Sequence, residues 1–238
     1  MDSSGYIALN RQAGLLKELE TVAQNIANIS TTGFRREGVI FSEYVVSAGT
    51  SSESLSMAHA TGRILDQTQG ALRQTNGSFD FAIEGDGYFL LDTPDGQRLT
   101  RAGAFTLSAE GLIVALDGAE LLDAGGAPIL IPVGVESVSL ASDGTLAVDG
   151  EPIAQIGLWE PAEMQSIIRS AGTRLDPQDN IIPVNGGRII QGFLENSNVD
   201  AVAELSRMIN VQRAYELGST FLDREDERVR GAIRIMGQ

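Results

Sequence analysis

The 238-residue chain contains no cysteine, which excludes disulfides, thiol nucleophiles and thiolate-held zinc together. His59 is the single histidine, so any chemistry that needs two imidazoles is excluded as well. Basic residues are few: 17 Lys and Arg, Lys17 being the one lysine, face 32 Asp and Glu, for a net charge of −15. A chain of that sign is ill suited to hold phosphate backbones, so nucleic acid is not expected as a partner. Aromatic residues make up 5% of the chain, and Trp159 is the only tryptophan. Long apolar runs are missing too. The stretch from Ala124 to Val135 is short and broken by Gly and Pro, so no membrane insertion is expected. The opening Met1-Asp2-Ser3-Ser4-Gly5 lacks the basic region of a secretory leader. What remains is a chain long enough for one or two domains and a substantial core.

The charge is unevenly placed. Residues 1–36 sum to +1 and residues 198–238 to −1, so 37–197 carries the whole −15. Hydrophobic periodicity divides the chain at the same places. From Tyr6 to Ile29 the pattern is helical: Leu9, Leu16, Leu19, Ala23 and Ile26 recur at three- and four-residue spacing with Gln12 as the polar exception, and Leu15, Val22 and Ile29 lie beside them. Ser30-Thr31-Thr32-Gly33 ends the run, with Gly33 suited to a left-handed stop. At the other end Ser197-Asn198-Val199-Asp200 reads as a capping box that opens a helix reaching about Met236. Ala201, Met208, Tyr215, Leu222, Val229 and Met236 recur every seven residues, flanked by Val202, Leu205, Ile209 and Ile233. A helix of this length, about 55 Å at ~1.5 Å per residue, suggests a coiled coil.

The middle is read as strands. Phe79–Ile83, Tyr88–Leu91, Leu112–Leu116, Ile129–Ile131, Val135–Leu140 and Ile153–Trp159 are short apolar runs. Asp95-Gly96, Asp117-Gly118, Asp143-Gly144 and Asp149-Gly150 supply hairpin turns. The expected organisation is α+β: an N-terminal helix over 1–36, an extended linker over 37–75, an antiparallel β-rich domain over 76–197 and a C-terminal helix over 198–238, with the two helices pairing as a coiled-coil-like core. The segment 42–62, with six serines, dominates the linker reading.

Catalytic chemistry finds little support. His59 sits in the Ser-rich segment without a Gly-x-Ser-x-Gly turn, and no Gly-Lys-Ser/Thr follows any glycine-rich loop. Asp80, Glu84 and Asp86 lack the spacing of a calcium loop. Paired carboxylates among the 22 acids of 37–197 leave one enzymatic alternative, an acidic hydrolase. The expectation is no enzyme, no cofactor and no metal. The more specific feature is Asn25 and Asn28, two weak helix formers bracketing Ile26 on the apolar side. They are read as amides that bond to neighbouring helices and fix register.

Asn25-Ile26-Ala27-Asn28-Ile29-Ser30-Thr31-Thr32-Gly33-Phe34-Arg35 resembles the N-terminal signature of the bacterial flagellar rod, hook and hook–filament junction proteins. Gly192 to Asp200 and Gln212-Arg213-Ala214-Tyr215-Glu216 resemble the matching C-terminal signature, and Asp80 to Phe89 resembles the start of the β domain that rod and hook proteins share. Leu99-Thr100-Arg101-Ala102-Gly103-Ala104-Phe105 is similar to the family's Thr-Arg-x-Gly-x-Phe stretch, with Ala102 where Asn is common. The short length, Met1-Asp2 and Tyr6 look most like the proximal-rod branch of the family, with the distal-rod branch as its rival.

The resemblance implies a structural, axial subunit whose terminal helices form the inner part of a helical assembly, with the β domain outside. It further implies passage through the flagellar type III export apparatus without a cleaved signal peptide, a place in the periplasmic rod of the basal body, and other rod subunits as partners. The surfaces expected to meet those neighbours are Leu9, Leu16, Leu19, Ala23, Asn25, Ile26, Asn28, Gly33 and Phe34 at one end. Met208, Ile209, Tyr215, Leu222, Val229 and Ile233 are their counterparts at the other.

Overall fold

The computed structural model describes residues 3–47, 54–132, 134–135, 137–163, 167–184 and 186–236. They form two compact units, one of Met1–Ala27, Arg36–Asp66 and Asp200–Gln238, the other of Asn28–Arg35 and Gln67–Val199.

The first unit holds helix α1 (Ser3–Ala27), strands β1 (Glu37–Ser47) and β2 (Ser54–Leu65), and helix α2 (Ala201–Met236). Both terminal helices are present, and the segment expected to be a linker differs from its reading. Its backbone is extended, but 37–47 and 54–65 pair as two antiparallel strands, from Glu37 opposite Leu65 to Ser47 opposite Ser54, and both strands pack on α1. Val39-Ile40-Phe41 and Tyr44-Val45-Val46 supply the β-branched and aromatic residues that favour strands. The register places His59 opposite Ser42; its side chain lies outside the described residues. The start of α2 also differs in detail. Asp200, not Ser197, caps it, its Oδ1 accepting from the Val202 and Ala203 amides at 2.8 and 2.9 Å.

Helices α1 and α2 pack against each other in opposite directions. Gln12 Nε2 donates to the Tyr215 carbonyl at 2.9 Å, Arg207 pairs with Glu18 at 2.9 Å, and Asn25 reaches Glu204 at 3.2 Å. The face that α1 turns inward runs through Gln12, Leu15, Leu19, Val22 and Ile26, which are buried or half-buried. Leu9, Leu16 and Ala23, read as part of the apolar stripe, are exposed. On α2 the inward positions are Glu204, Met208, Val211, Tyr215, Gly218 and Leu222, at alternating four- and three-residue steps.

The second unit is β-rich, and its strand pairs are antiparallel. Its largest sheet has seven strands: β14 (Ile168–Ala171), β15 (Arg174–Asp176), β6 (Gly96–Thr100), β5 (Phe89–Thr93), β9 (Glu120–Leu121), β8 (Ile113–Ala115) and β7 (Phe105–Leu107), in that order. The four Asp-Gly pairs read as hairpin turns lie at junctions between successive strands, each with its glycine at positive φ. Ile129–Ile131 is not a strand: it makes one isolated bridge, Leu130 opposite Leu112, while Ile129 and Ile131 enter the core. Phe81, Phe89 and Phe105 centre that core, with Phe89 and Phe105 edge to face at 5.5 Å.

Candidate assembly interface

The second unit gathers charged residues where none are expected. Glu195, in strand β18 (Phe193–Glu195), lies between two guanidinium groups. Arg35 Nη2 reaches its Oε1 at 3.0 Å and Arg101 Nη1 its Oε2 at 3.2 Å, with the three side chains 2%, 4% and 1% exposed for Arg35, Arg101 and Glu195. The Gly70 amide also donates to Oε1 at 3.0 Å. Arg35 Nη1 donates to the carbonyls of Gln67, at 3.0 Å, and Thr68; Arg101 Nη2 donates to the Gly85 carbonyl at 2.7 Å. The Arg101 guanidinium lies 5.2 Å from the centre of the Tyr88 ring, whose hydroxyl donates to Gln67 Oε1 at 2.7 Å. Burial pushes the Tyr88 phenol up, against the pull of both arginines, and loss of water pulls the Arg101 guanidinium down, against Glu195.

The backbone closes the same cluster. The Gly33 amide donates to the Glu195 carbonyl at 2.7 Å, and the Phe34 carbonyl accepts from Asn198 at 3.4 Å. Arg169 lies over the Phe34 ring at 4.2 Å and donates to the Arg35 carbonyl at 2.6 Å. Gly33 has φ +69°, and a Cβ there would stand 2.2 Å from the Ala102 nitrogen. Gly33→Ala therefore meets both a left-handed backbone and a backbone clash, and we expect a loss of about 2 kcal/mol or more, read as an earlier urea midpoint at unchanged slope. A midpoint equal to that of the parent chain would contradict the close approach. Gly33 and Phe34, expected at a contact between subunits, are thus buried inside this unit.

A second cluster lies in the first unit. The Asn25 amide behaves as a strand neighbour to Glu37: its Nδ2 donates to the Glu37 carbonyl at 2.8 Å and its Oδ1 accepts from the Glu37 amide at 3.0 Å. The same Nδ2 donates to Glu204 Oε2 at 3.2 Å, and Arg36 Nε holds Glu204 Oε1 at 2.5 Å. Asn25 therefore ties the end of α1 to the start of β1 and the first turn of α2. Asn28, by contrast, accepts from the Thr31 hydroxyl at 3.1 Å in the turn after α1.

The expected interface residues divide accordingly. Leu9, Leu16, Ala23, Ile209, Val229 and Ile233 are exposed; Leu19, Ile26, Asn28, Met208, Tyr215 and Leu222 are half-buried; Asn25, Gly33 and Phe34 are buried. Arg35, Arg101 and Glu195 carry no expected role beyond lying in signature segments. The signal they offered was a charge inside an otherwise apolar run, as in Gly192-Phe193-Leu194-Glu195.

The chemistry of these sites is that of joining. Every carboxylate in them faces a guanidinium or amide hydrogens. Elsewhere in the chain, hydrogen bonds from Thr145 and Arg228 hold the Asp143 and Glu225 carboxyls below the usual carboxylate range. Among the described residues no group of three His, Cys, Asp or Glu side chains could hold a metal ion.

Three families match the chain: residues 6–35 match "Flagella basal body rod protein", 82–148 "Flagellar hook protein FlgE/F/G D1 domain" and 190–235 "Flagellar basal body rod FlgEFG protein C-terminal". The flagellar basal-body rod protein FlgF of Mesorhizobium japonicum is 36% identical over 240 residues, covering 100% of this chain and 99% of the relative. That of Caulobacter vibrioides is 35% identical over 243 residues, with the same coverage. The rod protein FlgG of Bacillus subtilis is 30% identical over 261 residues, covering 97% of each chain.

Proposed function

The chain belongs to the flagellar basal-body rod protein family and is most like its FlgF members, and we propose that it works as an axial subunit linking motor to hook. It is a structural rod protein. In our reading α1 and α2 act as a coiled-coil-like core that neighbouring rod subunits complete, while 76–197 forms the outer β domain. The subunit reaches the periplasm through the type III export apparatus without a cleaved signal peptide. It has no catalytic activity.

One observation carries this reading. The paired helices leave apolar side chains uncovered along their outer faces, among them Leu9, Leu16, Leu205, Ile209, Leu217, Phe221 and Ile233. A solvated helix pair gains nothing by displaying such a surface; neighbours that bury it gain ~25 cal/mol for each Å² removed from water. Contacts between unlike faces of successive subunits extend into open helical rods.

The test is genetic. Cells lacking the chain should lose flagella and swimming; the full chain should restore both, and a chain truncated before Ala201 should restore neither. Swimming cells without the chain would overturn the assignment.

A further inference from the structure

Trp159, the only tryptophan in the chain, lies outside the phenylalanine-centred core and is half-buried. It opens strand β13 (Trp159–Pro161), opposite Pro183 of β16 (Ile181–Pro183). On its other side its backbone exchanges two hydrogen bonds with Tyr88, at 2.8 and 2.9 Å. The indole is seated as closely as the backbone. A Cβ on Gly157 would stand 2.9 Å from Trp159 Nε1 and 2.9 Å from the Ala124 Cα, so only a glycine lets the ring edge come down there. Nε1 is closed to water and has no hydrogen-bond partner. An unpaired buried donor is a net cost, and a phenylalanine would fill the same place without it. Packing alone therefore does not account for a tryptophan here; the wide indole surface that lines the adjoining groove does.

That groove holds about 270 Å³, below the ~300–1,000 Å³ of drug-sized sites, so it receives a single ring. Trp159, Pro183 and Val184 form its apolar wall, over the buried Ile156 and Leu158. Its polar side is Asp143 and Gln155, both exposed. Gln155 Nε2 donates to the Asp143 carbonyl at 3.1 Å, which holds the two side chains next to each other and leaves Gln155 Oε1 to accept. Asp143 Oδ1 accepts from the Thr145 amide at 2.9 Å, which orients the carboxylate and leaves it lone pairs to spare. Among the described residues that line the groove, Asp143 is the one carboxylate, and no lysine or arginine joins it.

We propose that this groove binds one pyranose ring of a neutral glycan, its C–H face stacked on the Trp159 indole and its neighbouring hydroxyls shared between Asp143 and Gln155. The match is chemical. A pyranose has an apolar face and a rim of hydroxyls that both donate and accept, and the groove repeats that division as an apolar wall beside a carboxylate and an amide. A guanidinium or ammonium group also lies well on an indole, but it only donates and gives the remaining Gln155 amide hydrogen nothing to bond. The groove holds a sugar without cutting it, because glycoside hydrolysis takes two carboxylates flanking the bond and the described lining has one. The inference is independent of the rod assignment, and it gives the β-rich unit a ligand of its own.

Because Trp159 is the sole tryptophan, its emission reports on this groove alone. The purified full chain is titrated with chitotetraose, cellotetraose, sorbitol and arginine amide, with saturation-transfer NMR on each probe as a second reading. At least one oligosaccharide should shift the emission saturably in the millimolar range, and sorbitol, which lacks a ring, should not. Chitotetraose alone would identify an N-acetylated glycan; both oligosaccharides would identify a hexose ring without that requirement. Asp143→Asn keeps an acceptor for the Thr145 amide, and Gln155→Ala alters an exposed side chain, so both should fold as the parent does by circular dichroism. Each should weaken oligosaccharide binding about tenfold. Trp159→Phe, followed by NMR, should weaken it by at least as much. No response to either oligosaccharide, or binding unchanged in Asp143→Asn and Gln155→Ala, would overturn the proposal. So would a response to arginine amide only, which would give the groove to a basic side chain of a protein partner.

Discussion

Replacing Glu195 by alanine should lower the stability of the β-rich unit by about 3–5 kcal/mol, the cost of leaving a buried charge without its partner. Here two charges are stranded. Arg35 and Arg101 both direct a guanidinium at this one carboxylate from positions almost closed to water, and each already has a buried Nε without a partner. The Gly70 amide loses its acceptor as well. For a unit of this size each kcal/mol moves the melting temperature by roughly 2–4 °C, so a drop of about 10 °C is expected in thermal unfolding of the purified chain. Glu195→Gln keeps the shape and an acceptor for Gly70 but not the charge, and should fall between the two. A companion with Arg35, Arg101 and Glu195 all replaced by apolar residues of similar volume should recover much of the loss, because the triad's own desolvation is removed with it. A shift below about 1 kcal/mol for Glu195→Ala would mean that the triad contributes no more than a surface ion pair does.

The triad also shows why some of the molecule was legible in its sequence and some was not. Arg35, Arg101 and Glu195 lie in three separate signature segments, and nothing local to any of them indicates the other two; only the folded chain brings them together. The terminal helices were legible because periodicity accumulates over many residues, and the Asp-Gly turns because their φ requirement is local. Which face of α1 turns inward was not. Two adjacent apolar stripes compete on that helix, and the contact of Gln12 with the Tyr215 carbonyl favours the one through Leu15 and Val22 over the one through Leu9 and Leu16. The pairing of 37–47 with 54–65 was obscured by composition: serine and glycine outweighed short β-favouring runs that join residues up to 28 positions apart. Asn25, expected to bond to neighbouring helices, is a buried amide engaged with the Glu37 backbone and with Glu204 of α2, while Asn28 accepts from the Thr31 hydroxyl in the turn after α1.

Leu222→Asp should abolish incorporation into the rod and leave the β-rich unit folded. Leu222 is half-buried on the stripe that α2 turns toward α1, one turn before the stretch Asp226–Ile235, in which every residue is exposed. A buried leucine side chain contributes about 1.5–3 kcal/mol, and a carboxylate in its place adds the cost of bringing charge to an apolar seam. The last turn of α2 that packs on α1 should therefore open, and the exposed stretch beyond it loses the fixed direction it needs to reach a neighbour. Because Leu222 belongs to the helical unit, the main thermal transition of the β-rich unit should stay within about 1 °C of the parent, as for a surface change. Ile233→Asp separates the two causes. Its side chain is exposed, so the isolated chain should keep its full helix content by circular dichroism while assembly still fails. Asp223→Asn, on the solvent side of the same turn, should swim normally. Normal swimming with Leu222→Asp and Ile233→Asp together would place the working contact of the rod elsewhere than on this end of α2.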